Sequence, residues 1–278
     1  VTLGSPAEMR EWSRLTRARG ERIAFVPTMG ALHAGHVALL REGRRRCDRL
    51  ALSIFVNPTQ FAAHEDLDRY PSDLPGDLAQ AAAAGVDVVF VPGRADMYPA
   101  GHQTTVQVPE LERGLCGATR PGHFVGVATV VCKLFNIVQP DVAIFGEKDF
   151  QQLALIRRMV RDLDIPIEVV GLPTVREADG LALSSRNKFL SPEERVRAVG
   201  ISRALLAARA GFVAGERDST VLTSSVRRAL SAEVDRIDYV ELRDAENLAP
   251  LDPVIRPAVL AVAAFLGPTR LIDNIRLG

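Results

Sequence analysis

The stretch VPTMGALHAGH, residues 26–36, sets His33 and His36 three residues apart around Gly35, in a chain with only five histidines. A metal pair is one reading. It lacks the glutamate of H-E-x-x-H, and Gly35 weakens the helix that such a motif needs. No nearby cysteine or carboxylate supplies a third ligand. A solvated surface turn is a second reading, and spacing alone does not exclude it. The third is a phosphate grip. Gly30 and Gly35 let the backbone approach a phosphate closely. The start of a following helix offers unpaired N–H groups and the positive end of the helix dipole. Two imidazole N–H groups then add donors where charge develops on phosphorus oxygens.

Other polar segments bear on that third reading. GEKDFQQ places Lys148 directly after an apolar run, with Asp149 at the expected start of a helix. A flexible ammonium there can reach a polyphosphate. LALSSRN, residues 181–187, gathers Ser184, Ser185 and Arg186, and Arg186 can hold a leaving pyrophosphate. IFVNPTQF contributes Asn57 and Gln60, whose amides suit directional recognition of a hydroxyl or carboxylate. Gln152 lies one helical turn from Lys148. RPGHF makes a Pro-Gly turn from which Arg120 or His123 could reach the same place. Each of these taken alone also reads as an ordinary surface group. Cys132 sits in an apolar helical pattern and reads as core. Cys116 has no activating partner in sequence, so no thiol mechanism is expected.

The elements that must carry these residues alternate along the chain. Apolar, strand-like runs at 23–26, 50–56, 86–91, 142–145 and 167–171 alternate with helical patterns at 36–46, 77–84, 125–138 and 150–162. Pro27 is expected to cut the first strand. Strands that are apolar throughout belong to a parallel sheet covered on both faces. The fold expected is α/β: a Rossmann-like doubly wound parallel sheet domain over residues 1–175, then a smaller α+β C-terminal domain over 176–278. The second has helices at 192–214 and 219–233 and strands from IDYVELRD, VLAVAAFLG and TRLIDNI. PTMGALHAGH, NPTQF and GEKDFQQ all follow expected strands directly, where ligands of such sheets bind.

Bulk composition narrows the partners. Lys plus Arg and Asp plus Glu are 34 each in 278 residues, so no charge excess points to nucleic acid or a membrane surface. Aromatic content of 5% argues against base-stacking platforms. No apolar run approaches the roughly 18 residues of a membrane helix, and no secretory leader is expected. Three dispersed cysteines fit a reducing cytosol.

Taken together, PTMGALHAGH, SIFVNPTQF, RPGHFVGVATVVCKLFNIVQPDVAIFGEKDFQQL and PTVREADGLALSSRN resemble the pantothenate synthetase (pantoate–β-alanine ligase) family, over most of the chain to about residue 200. H-x-G-H alone is shared by the wider nucleotidyltransferase superfamily. The resemblance implies that pantoate carboxylate attacks the α-phosphorus of MgATP, giving an enzyme-bound pantoyl adenylate. β-Alanine then releases pantothenate and AMP. It implies catalytic roles for His36, His33, Lys148 and Arg186. Pro27, Thr28, Met29, Gly30, Ala31, Leu32, His33, Ala34, Gly35 and His36 would line the ATP site. Gly146, Glu147, Lys148 and Asp149 would join them, with Val175, Leu183, Ser184, Ser185 and Arg186. Gln60 and Gln152 would hold pantoate, Gln60 also lying by β-alanine, with Asn57, Arg120 and His123 nearby. Mg²⁺ would be held mainly by ATP. Asp77 has Gly76 where relatives have a second acid, so the protein is not expected to supply a metal ligand. Where some relatives have glutamate, this chain has Cys116. A cytoplasmic homodimer is implied, with residues 66–75 or the C-terminal domain closing as a lid.

The sequence leaves two rival readings open. A plain nucleotidyltransferase would need cations for a phosphorylated acceptor, where this chain offers Gln60, Gln152 and Asn57. A nucleotide-binding sensor would bind ATP without releasing AMP.

Overall fold

Apolar runs bounded by turns form the strands of a six-stranded parallel sheet in the computed structural model, which describes residues 1–61, 67 and 70–278. The chain divides into two compact units. The first is Val1–Glu110, Arg120–Glu147 and Leu155–Pro173; the second is Leu111–Thr119, Lys148–Ala154 and Thr174–Gly278. Of the stretch 66–75 expected to close over a ligand, residues 66, 68 and 69 lie outside the described residues.

The first unit runs through β1 (Thr2–Leu3), α1 (Pro6–Ala18), β2 (Ile23–Thr28), α2 (Ala34–Arg46), β3 (Arg49–Ile54), α3 (Leu74–Ala83) and β4 (Val88–Phe90). It continues with α4 (His123–Val138), β5 (Val142–Gly146), most of α5 (Phe150–Asp162) and β6 (Glu168–Leu172). The sheet order is β1-β4-β3-β2-β5-β6, all parallel. From β2 the chain goes one way to β3 and β4, then returns to lay β5 and β6 on the other side. That reversal is a topological switch point, and the segments leaving β2 and β5 flank its crevice. The core between sheet and helices holds Val26, Leu40, Leu50, Leu52 and Ile144, all fully buried.

Pro27 does not end β2. The strand continues to Thr28, with Pro27 opposite Ser53 of β3. β5 pairs with β2 only at Ala24 and Phe25. By Pro27 a single ladder remains, so the missing N–H interrupts no second one. Residues before 23 form β1 and α1, which lie outside the alternating pattern expected from residue 23 onward. α1 is begun by Ser5 and Glu8 in a reciprocal capping box, with Pro6 at its first position.

The second unit has α6 (Pro192–Val213), α7 (Ser219–Leu230), β7 (Arg236–Asp244), β8 (Ala258–Leu266) and β9 (Thr269–Leu277). Its three strands form an antiparallel sheet in sequence order. Ile201, Leu205, Leu222, Val226, Leu260 and Val262 form the centre of its core. No helix of the described residues is long and apolar enough to cross a membrane.

Candidate active site

β2 ends at Thr28, and the chain turns through Met29–Leu32 before α2. Gly30 has φ +86°, and a Cβ there would lie 2.9 Å from Asp77 Oδ2 and 3.1 Å from Ile54 Cγ2. Only glycine fits both the conformation and the space. Ala31 follows at φ 51°. This unusual path is held from α3. Asp77, 2% exposed, accepts the Ala31 N–H at 2.8 Å on Oδ2 and the Leu32 N–H at 2.6 Å on Oδ1. Gln80, one turn further along α3, donates to the Leu32 carbonyl at 3.2 Å. Thr28 Oγ1 donates to the Ser53 carbonyl and accepts the Gly30 N–H. Gly30, Ala31 and Leu32 are therefore anchored through main-chain atoms.

The histidines cap α2. His33 is the N-cap, and its Nδ1 accepts the Gly35 N–H at 3.1 Å. His36 Nδ1 accepts the His33 N–H at 3.3 Å. A nitrogen that accepts carries no proton, so each neutral ring has its proton on Nε2. The ring centroids are 4.1 Å apart. The sequence thus builds two half-buried Nε2–H donors beside a helix N-terminus at the switch point. Gly146 and Glu147 leave the adjacent β5, the other edge of that crevice.

Asn57 and Gln60 form a second centre in the same unit. Asn57 is 1% exposed. Its amide donates to Gln60 Oε1 and to the Gly126 carbonyl, both at 3.1 Å. Its Oδ1 accepts from Thr59 Oγ1 at 2.9 Å and Tyr98 OH at 2.8 Å. Burial pushes the Tyr98 hydroxyl above its ordinary pKa, so it remains a donor. α4 is apolar nearly all round and lies close to this turn at Gly126, where a Cβ would meet the Thr59 carbonyl oxygen at 2.4 Å. The Gln60 amide reaches Met29 Sδ at 3.2 Å. His123 Nδ1 meets the Gln60 carbonyl at 2.8 Å, and Arg120 Nη1 meets His123 Nε2 at 3.0 Å. Met29, Asn57, Gln60, Arg120 and His123 are thereby brought together.

The second unit carries the remaining expected residues. Lys148 stands in a short 3-10 turn, Glu147–Asp149, so Asp149 precedes the α-helix, which starts at Phe150. Its ammonium is 3.9 Å from Asp149 Oδ2, too long for a hydrogen bond. Gln152 is half-buried on the first turn of α5. Its neighbour Gln151 is 5% exposed and takes the Cys116 N–H on Oε1 at 3.0 Å. The same side chain donates to the Leu111 and Gly114 carbonyls at 2.8 Å. Val175 and Leu183 face each other across a tight hairpin, the Leu183 N–H donating to the Val175 carbonyl at 3.0 Å. Ser184 then caps the turn Ser185–Phe189 by accepting the Arg186 N–H at 3.3 Å.

The sequence motifs do not single out Gln151, Tyr98 or Gln80 and give Asp77 no positive role. Gln151 had a signal: it shares the spacing of buried Leu155 and Met159, one face of α5. The Asp77 contact had none, because its partners lie 46 and 45 residues earlier. Among the described residues, no group of three His, Cys, Asp or Glu side chains is placed to hold a metal ion.

A parallel sheet reversing at β2, with a glycine turn feeding a capped helix at that point, defines a doubly wound α/β protein of the kind whose ligands bind at the switch point. The chain belongs to the pantoate–β-alanine ligase family, whose model matches residues 2–276. It is thus an enzyme, a ligase that condenses pantoate with β-alanine to give pantothenate. It is 56% identical to the pantothenate synthetase of Myxococcus xanthus over 281 aligned residues, covering 100% of this chain and 96% of that one. The crystal structure of pantothenate synthetase from Thermus thermophilus superposes with a TM-score of 0.92 at 49% identity, covering 99% and 98% of the two chains. The pantoate–β-alanine ligase from Francisella tularensis, solved as a complex with beta-gamma ATP and beta-alanine, gives 0.80 at 33% identity, covering 99% and 97%.

Proposed function

We propose that this ligase activates pantoate with ATP through a pantoyl adenylate that stays on the enzyme. A pantoate carboxylate oxygen attacks the α-phosphorus, the bond from that phosphorus to the bridging oxygen breaks, and pyrophosphate leaves. The β-alanine amine then attacks the acyl carbon, loses a proton and expels AMP. The observation that carries this reading is the pair of Nε2–H imidazoles fixed beside the α2 N-terminus. The complex of the Francisella relative with beta-gamma ATP and beta-alanine supports the same two substrates here.

The first step brings two anions together, so it needs charge neutralisation and in-line positioning. His33 and His36 donate to the α-phosphate as negative charge grows on its oxygens. Lys148 and Arg186, with Ser184 and Ser185, take the β- and γ-phosphates. Met29–Leu32, Gly146, Glu147 and Asp149 line the nucleotide, with Val175 and Leu183 toward the adenine. Gln60 and Gln152 orient pantoate through directional amides. Asn57, Arg120 and His123 act through Gln60, since their hydrogen bonds converge on it.

Magnesium comes with ATP as the counter-ion of its phosphates. Asp77 does not fit a metal ligand's role, because both carboxylate oxygens hold main-chain N–H groups. An acyl adenylate hydrolyses readily, and a lid formed by residues 176–278 would exclude water. A homodimer in a reducing cytosol belongs to the same proposal, the latter supported by three free cysteines.

The test is a three-substrate assay of AMP and pantothenate with each substrate omitted in turn, beside ATP–pyrophosphate exchange without β-alanine. Exchange that requires pantoate is expected. Exchange that instead requires β-alanine would rule out a pantoyl adenylate formed first. Dependence on a phosphorylated acceptor would favour a nucleotidyltransferase.

A further inference from the structure

The last strand of the second unit carries two adjacent buried polar side chains, Asp273 at 4% exposure and Asn274 at 7%. Their partners on β8 are Val262 and Ala261, so the strand pairing does not call for polar groups there. Neighbouring strand residues point to opposite faces, and these two reach different segments. The Asn274 amide donates to the main-chain oxygen of Lys148 at 2.8 Å. Asp273 receives Arg176 as a fork, at 2.6 Å from Nη1 and 2.9 Å from Nη2. The same guanidinium donates to the Gly180 carbonyl at 3.1 Å and the Asn274 carbonyl at 3.4 Å. The Asn274 N–H closes the network on Asp273 Oδ1 at 2.8 Å. Arg176 itself bridges Ala182 across the hairpin that runs into Ser184. One dipeptide is therefore tied to the lysine turn and to the hairpin feeding the serine–arginine stretch.

We propose that Asn274, backed by Asp273, is a positioning residue of the ligase, holding Lys148 at the separation from Ser184–Arg186 that a bound triphosphate requires. The proposal rests on the reading that Lys148 and Arg186 serve the phosphates of ATP. Burying an amide and an ion pair is costly unless each finds its partners, and here the partners are the backbone of one phosphate-directed segment and the root of the other. An error of about 1 Å in such a placement can cost on the order of a hundredfold in rate.

The experiment uses the full chain. Asn274→Asp removes the donor and sets a carboxylate against the Lys148 carbonyl; Asn274→Ala removes the donor without adding charge and serves if the first variant does not fold. kcat and the KM of each substrate are measured alongside Tm, in the natural background and in Lys148→Ala. A loss of about tenfold or more in kcat/KM for ATP is expected, with the KM for β-alanine changed less than about twofold. In the Lys148→Ala background the same substitution should add less than about twofold, because the two act as one unit. A full loss in both backgrounds, an equal loss for every substrate, or kinetics unchanged beside a lowered Tm would overturn the proposal. Lys148→Ala with unaltered ATP kinetics would remove the assignment of Lys148 to ATP, and this proposal with it, by a separate signature.

Discussion

Asp77 and Asp273 are both buried carboxylates that brace segments proposed to serve ATP, yet they hold those segments differently. Asp77 accepts only from main-chain N–H groups, those of Ala31 and Leu32. Asp273 holds a side chain, the Arg176 guanidinium, through two parallel bonds. A main-chain clamp fixes the path of a turn and leaves its side chains free to vary. A side-chain pair depends on both partners, and removing one strands a charge. The turn after β2 is therefore held by side chains that each grip its backbone, Asp77 with Thr28 and Gln80, whereas the hairpin at 174–183 needs a matched pair.

Four substitutions would break or sharpen that contrast. Arg176→Leu leaves Asp273 buried without its cation, and a destabilisation of about 3–5 kcal/mol is expected in denaturant titration. A loss below about 1 kcal/mol, the range of an exposed pair, would show this one to be dispensable. His36→Ala should lower adenylation on the order of a hundredfold, with Tm almost unmoved; turnover at the natural level would take His36 out of the chemistry. Asp77→Asn keeps the shape but turns an amide N–H toward one of two donors. It should cost about 2 kcal/mol and slow adenylation, since the turn carrying the histidines loosens. Were activity lost with stability intact, a direct role in the reaction would replace the clamp.

Glu42→Gln tests a half-buried carboxyl on the surface of α2 that two arginines reach, with an expected cost of about 1 kcal/mol at neutral pH. Hydrogen bonds from Arg45 and Arg46 hold the Glu42 carboxyl at about 2, against 4.5 unperturbed. A depressed folded pKa contributes stability above the unfolded value and loses it as pH falls through the folded one. The difference between natural and substituted chains should thus shrink below about pH 4.5 and vanish near 2. A difference that grew on acidification would contradict this account of Glu42.

Much of the first unit was legible because parallel strands buried on both faces leave continuous apolar runs. β3 and α5 came out within a few residues of their expected limits. α1 is marked in the sequence by its cap signal, SPAE at residues 5–8, rather than by the alternating pattern. Pro27 reads as a strand end when taken without its neighbours, whereas the neighbour strand that would object to it has already diverged. Gln151 is legible only from the apolar spacing of α5, which marks it as inward; Gln152, one helical turn from Lys148, is half-buried beside it.

By itself the sequence determined the alternation of strands and helices, the segments proposed to carry chemistry and the family resemblance. These are local properties, written in apolar period, turn residues and short motifs. Tertiary structure alone decided that Asp77 clamps the turn of Ala31, that Asn57 is spent on Gln60, and that Asn274 holds Lys148. The reason is physical: a buried polar group must find a partner, and which one it finds depends on packing between segments distant along the chain.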